Sequence, residues 1–302
     1  MRHVGWIVCI AVLALHGLAM ADGCFIPTEQ EWREGRERSL INEPEQKAVV
    51  FFSKGREQLI ISPSYQGASS SFAWVVPVPS RPQVEILKGA IFHELAELTM
   101  PKQPVVQSAK VEGALRAPGV SVLERKTVGA YDVSVLSATD GQALMRWLKA
   151  NKYHIPDKAI GPMKGYVKQG WTFVASRIKV PSNAKGLRTG TLAPLRLTFS
   201  AKQPVYPMKL SSANPKQFDV LVYLVLPSGE LRGRPRTLAK QGWTDQWSTS
   251  WSATLSGHLN ERRRYPTLST LYSGEMQIYT QRCYVDPEEC KQDIVWKLPH
   301  LR

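Results

Sequence analysis

The chain has 302 residues, 43% of them hydrophobic, with nine tryptophans and a formal net charge of +14. That apolar content excludes a disordered chain, and the length suffices for one large domain or two modest ones with real cores. The positive charge is not spread evenly, and where it concentrates is the most informative feature of the composition.

The first 21 residues have the three parts of a cleavable secretory signal. Arg2 supplies the positive amino end, and Val4 to Leu18 is an apolar run broken only by Gly5, His16 and Gly17. Ala19-Met20-Ala21 places small residues at a cleavage site, so the mature chain is expected to begin at Asp22. The apolar run is shorter than the roughly 18 residues of a spanning helix, which disfavours an uncleaved anchor. Lipidation of Cys24 is a further alternative, although Ala21-Asp22-Gly23 lacks the usual apolar residue three positions upstream. No later stretch is long and apolar enough to span a membrane.

Residues 29–46 read as an irregular polar lead-in closed by Pro44. Ala48–Phe52, Gln58–Ser62 and Phe72–Val78 are short β-branched or aromatic runs separated by turn residues, the pattern of consecutive antiparallel strands ended by Pro77 and Pro79. Gln83 to Leu98 carries Val84, Leu87, Ile91, Leu95 and Leu98 at helical spacing and predicts a helix stopped by Pro101. Strands are expected at Val105–Val111, Val120–Lys126, Tyr131–Ser137 and Trp171–Val180. A second helix is expected over Asp140–Ala150, with Thr139 and Gln142 at capping-box spacing. Pro181 to Gly190 is loop-like and divides an α+β region, residues 22–185, from a strand-rich region, residues 190–302. In the latter, Leu195–Phe199 alternates as a half-buried strand, Asp219–Leu226 reads as buried on both faces, and Met276–Thr280 and Ile294–Leu298 close the chain. Lys240–Ser256 takes no assignment. The fold class is α+β: strand-dominated, mostly antiparallel sheets with two or three helices.

Several segments together resemble one family. They are Asp22-Gly23-Cys24-Phe25, the run Phe72 to Pro79, and Tyr131-Asp132-Val133 through Leu144, Trp147-Leu148, Asn151 and Tyr153. Leu195 to Phe199 followed by Val205-Tyr206-Pro207 completes the set. The chain from about Cys24 to the Tyr223 region is thereby similar to the bacterial family called domain of unknown function 2330. The resemblance implies an exported bacterial envelope protein and carries no reaction, ligand or catalytic residue.

Three mature cysteines remain once Cys9 leaves with the signal. In an oxidising compartment Cys283 and Cys290 form the natural bridge around the Asp286-Pro287 turn; a bridge from Cys24 to either is the alternative. His93-Glu94-Leu95-Ala96-Glu97 approaches the zinc pattern H-E-x-x-H but has Glu97 where the second histidine belongs, so a solvated polar helix face is expected. Ser182-Asn183-Ala184-Lys185 matches S-x-x-K in a loop context and reads as chance. His93, His154, His258 and His300 show no ligand spacing, and no metal or cofactor is implied. Trp243, Trp247 and Trp251 recur every four residues, a row suited to sugar stacking if exposed and to a core if buried.

Residues 22–140 carry 13 basic and 15 acidic groups, residues 141–218 carry 14 basic groups and the single acid Asp157, and residues 219–302 carry 11 and nine. The excess is confined to one quarter of the chain. Its simplest consequence is solubility; its functional consequence is a partner of anionic envelope material, whether lipid, glycolipid or wall polymer. The candidate contacts are Lys149, Lys152, Lys158, Lys164, Lys168 and Lys179. Nucleic acid is disfavoured, because no nucleic-acid fold signature is present. A non-catalytic envelope protein is the leading expectation, and a hydrolase acting on envelope material is the alternative.

Overall fold

The computed structural model describes residues 24–30, 33, 41–67, 71–99, 121–128, 131–179, 188–228, 235–237, 248–255 and 259–299. The short apolar runs become strands of two large sheets. The first sheet holds β1 (Cys24–Pro27), β4 (Ser71–Val78), β8 (Thr172–Lys179), β7 (Tyr131–Ser137) and β6 (Ser121–Val128), in that spatial order and antiparallel throughout. The second runs β14 (Ser248–Leu255), β15 (Gly274–Val285), β12 (Phe218–Pro227), β2 (Glu45–Ser53), β3 (Arg56–Gly67), β10 (Leu195–Ser200) and β5 (Gln83–Ile86), with β9 (Arg188–Thr191) beside the far end of β3. Its pairs are antiparallel except β2 with β12. A small third sheet joins β11 (Val205–Tyr206), β16 (Ile294–Lys297) and β13 (Arg236–Thr237).

Side-chain alternation decides how these sheets stack. Phe72, Trp74 and Val76 of β4 point to the same core as Val50 and Phe52 of β2, Leu59 and Ile61 of β3, and Val220 and Val222 of β12. The intervening residues Ala73 and Val75 point the other way, under α2 (Gly141–Ala150) and α3 (Asp157–Lys168). On the far side, Val49, Phe51, Ile60 and Tyr223 meet α1 (Ile91–Thr99) and α5 (Pro266–Leu271), which follows α4 (Leu259–Arg264). The molecule is thus four layers deep, helix–sheet–sheet–helix. Both faces of each sheet being covered is why β2, β4 and β12 read as continuous apolar runs.

The α+β class holds, with five α-helices among the described residues instead of two or three. The helix expected over Gln83–Leu98 is corrected: residues 83–86 form β5, and only Ile91–Thr99 is helical. Val84 satisfies a strand as well as a helix, and it lies opposite Leu197 in the ladder. Gly89, at φ +114, then turns the chain into α1, and a Cβ there would lie 2.1 Å from Thr267 Oγ1. Pro77 does not end β4: β1 pairs only with Phe72–Val75, so at Pro77 one side of β4 meets no strand among the described residues, where a missing donor is tolerated. The α2 cap is Asp140, whose side chain accepts from Ala143 N at 2.8 Å, in place of the expected Thr139 box. Ser248–Leu255 within the unassigned segment is β14, and the strand expected at Val105–Val111 lies outside the described residues.

One buried acid stands in the core between the sheets. Glu57 on β3 is fully buried; one carboxyl oxygen accepts from Val205 N at 2.9 Å and the other has no partner among the described residues. Burial raises its pKa well above the ordinary 4.5, against the lowering effect of the Val205 N–H. The folded state therefore holds this proton more tightly than the unfolded state, and stability falls as pH climbs from about 4.5 toward the raised value. Glu57→Gln mimics the neutral acid. It is expected to be more stable than the parent at about pH 8, with the difference fading toward about pH 4, as read by urea melts. A difference independent of pH would contradict this.

Candidate functional site

Two adjacent helices on the outer face of the five-stranded sheet carry five of the 14 basic residues of the block, Arg146, Lys149, Lys158, Lys164 and Lys168. Helix α2 buries Ala143, Leu144, Trp147 and Leu148, which leaves Gln142, Arg146 and Lys149 exposed on the opposite side. Asn151 ends it, donating Nδ2 to Trp147 O at 2.8 Å, and Lys152 follows at φ 63. Helix α3 begins after Pro156, carries Asp157 in its first turn and Lys168 in its last, and buries Ala159, Met163 and Tyr166. This polarity suits the helix dipole at both ends. The two helices approach closely at Gly141, where a Cβ would stand 2.5 Å from Lys164 Cγ and 3.2 Å from its Cα.

The segment after β1 fixes the connection between them. Glu29 N donates to Lys152 O at 2.8 Å and His154 N donates to Pro27 O at 3.0 Å. The result is an open cleft of about 390 Å³ lined by Glu29, Gln142, Met145, Arg146, Lys149, Tyr153, His154, Ile155 and Ile160. Met145, Ile155 and Ile160 are half-buried and give it an apolar floor; Arg146 and Lys149, three residues apart on α2, stand exposed at its rim. Neither cation has an ion-pair partner among the described residues. Glu29 is engaged by Arg33 at 3.0 Å. Desolvation lowers the pKa of His154, assisted by Lys149 and opposed by Asp157 and Glu29, so the imidazole is neutral at neutral pH. Behind Tyr153 lies a separate water-sized hollow of about 10 Å³ bordered by Asp132, Ser134, Trp147, Asn151 and Arg177.

Of the six lysines expected to bind anions, only Lys149 lines the cleft. Lys158 pairs with Glu288 at 3.4 Å, Lys164 lies over Gly141, and Lys168 is exposed at the end of α3. Lys152 sits exposed in the turn after α2, and Lys179 closes β8 opposite Ser71, its side chain outside the described residues. Arg146 is absent from the expected contacts, and His154 was expected only as a histidine without metal-ligand spacing; both line the cleft. Arg146 was accessible to sequence reasoning, since it stands opposite the Leu144, Trp147 and Leu148 stripe at i, i+3 from Lys149.

Other candidates separate. The expected Cys283–Cys290 bridge is not shown: all three described cysteines are free and buried. Cys283 lies within the β15 ladder opposite Val220, while the residues leading to Cys290 are used in a capped 3-10 turn, Pro287–Glu289. Burial, then Asp219, pushes the Cys283 thiol up to about 12; burial, then the acids of that turn, raises Cys290, and burial with Glu43 raises Cys24. His93 is exposed, and its turn-mate Glu97 pairs with Arg264 at 2.6 Å. Among the described residues no three metal-ligating side chains cluster, and no helix is long and apolar enough to cross a membrane. Trp251 pairs through its backbone with Ile278. Residues 1–23, the Ser182–Lys185 match, Trp243, Trp247, His258 and His300 lie outside the described residues.

A family model described as an uncharacterized protein conserved in bacteria (DUF2330) matches residues 34–232, from before β2 to beyond β12. No curated protein and no solved structure gives a match.

Proposed function

The chain belongs to this uncharacterised bacterial family, and from that premise we propose that it is an exported, non-catalytic envelope protein that binds anionic material through the outer face of α2 and α3. The observation that carries the reading is the pair Arg146 and Lys149, exposed at the rim of an apolar-floored cleft and continued by Lys164 and Lys168 on the neighbouring helix. Asp157 is the only acid in residues 141–218 against 14 basic residues, so little within that block offsets the field. Export rests on the signal-like residues 1–21. Binding is favoured over thiol catalysis because burial holds Cys24, Cys283 and Cys290 in the protonated form.

The test is co-sedimentation of the exported protein, whose amino terminus is expected at Asp22, with anionic and neutral vesicles across a salt series. Exposed charges act over about 8 Å at physiological ionic strength, so binding to anionic vesicles should weaken steeply as salt rises. Arg146→Glu with Lys149→Glu should abolish most of it, and Lys54→Glu with Lys88→Glu should leave it nearly intact. Equal sedimentation with neutral vesicles, or none at low salt, would reduce the basic block to a solubility feature.

A further inference from the structure

The cleft between α2 and α3 is not built like a flat electrostatic surface. A surface that only attracts polyanions needs cations spread over an exposed face; a hydrophobic floor adds nothing to it. Here the two rim cations are concentrated at one end of α2, while Met145 on α2, Ile155 in the connection and Ile160 on α3 remain half-buried without a complete apolar cover. Apolar side chains left in that state gain from any hydrocarbon that takes them out of water. A guanidinium and an ammonium one turn apart can share a single phosphate or carboxylate, the guanidinium through two parallel hydrogen bonds. The volume, about 390 Å³, is at the small end of ligand-sized clefts and suits one chain better than two.

We infer that this cleft is a binding site for a single-chain anionic amphiphile, with its charged head on Arg146 and Lys149 and its tail against Met145, Ile155 and Ile160. This rests on the anion-binding reading and narrows it to a ligand class. Glu29 is the one acid among the residues lining the cleft, and its pairing with Arg33 at 3.0 Å offsets that charge. Tyr153 forms part of the wall and is held by the short bridge between Thr28 and Tyr153, so that wall is set by backbone pairing and does not depend on the ligand.

Titration calorimetry of the exported chain with three probes tests the inference: octyl phosphate below its micelle concentration, inorganic phosphate, and uncharged octyl glucoside. Octyl phosphate should bind saturably at one site, with each of the other two weaker by at least about tenfold, since each lacks one half of the recognition. Arg146→Gln with Lys149→Gln should weaken octyl phosphate by about tenfold or more while the melting curve stays unchanged, because both side chains are exposed. Ile160→Asn should weaken octyl phosphate but not inorganic phosphate. Inorganic phosphate binding as tightly as octyl phosphate would overturn the inference, as would octyl phosphate binding that ignores the rim substitutions. Vesicle binding without octyl phosphate binding would remove the cleft and leave the surface reading; octyl phosphate binding without vesicle binding would do the reverse.

Discussion

Asp293→Ala is expected to destabilise the protein by about 3–5 kcal/mol, the cost of removing one member of a buried charged pair. Asp293 is 9% exposed and lies just before β16. One of its oxygens accepts from the Tyr166 hydroxyl, from Met208 N at 3.0 Å and from Lys209 N at 3.2 Å; the other meets Lys209 Nζ at 2.8 Å. The Lys209 ammonium also stands 4.3 Å from the Tyr166 ring centroid, and burial with the neighbouring Asp293 raises the Tyr166 pKa. Alanine would leave a phenol, two backbone N–H groups and an ammonium without their acceptor. Each buried donor so orphaned costs about 1–3 kcal/mol before relaxation. Asp293→Asn keeps one acceptor oxygen and should cost less than half as much. Lys209→Met should also cost less, because Asp293 keeps the Tyr166 hydroxyl and two backbone N–H groups as donors and the lysine is partly exposed. Urea melts of the three variants decide the order. A loss below about 1 kcal/mol for Asp293→Ala would mean that the node holds little of the fold together.

This node joins α3 to the carboxy-terminal strand, and no local pattern in the chain announces it. The same limit governs what the sequence made legible. Strands β2, β4, β7, β10 and β12 were readable because burial imposes either alternation or an unbroken apolar run over a few adjacent residues. Helix α3 was hidden by Gly161, Pro162 and Gly165, which are breakers by propensity, although Ala159, Met163 and Tyr166 keep helical spacing through them. Residues 83–86 misled in the opposite direction, since Val84 fits both periods and only the free edge of β10 decides between them. The four-layer stacking depends on the parallel pairing of β2 with β12, about 170 residues apart in the chain, which composition does not encode. For the site, the charge excess was legible as a block. Which cations converge was not, because Lys158 finds Glu288 across 130 positions and Arg146 finds the cleft only when α2 turns its apolar stripe inward.

Leu95→Ala is expected to cost about 2–5 kcal/mol, and its neighbour His93→Ala no more than about 0.5 kcal/mol. The two residues belong to one metal-like pentapeptide, His93 to Glu97, and the structure gives its members opposite fates. Leu95 is fully buried among Ile91, Tyr223, Leu268 and Met276, so its removal opens a cavity under α1 that the rigid strands of the large sheet cannot close. His93 faces solvent. Between them Glu94 is buried and accepts from Thr267 N at 2.9 Å and Leu268 N at 2.7 Å, while Thr267 Oγ1 accepts from Ala90 N at 3.0 Å. Helices α1 and α5 thus cap each other's first turns, and Glu94→Ala should cost about 1–3 kcal/mol by orphaning two backbone donors. A catalytic metal site would invert this order. It would make His93 and Glu94 costly for activity and nearly free for folding, whereas packing and capping make Leu95 the costliest, Glu94 intermediate and His93 silent. Denaturant melts of the three single variants read the order directly, and a loss for His93→Ala comparable to that for Leu95→Ala would reopen the case for a buried role at this turn.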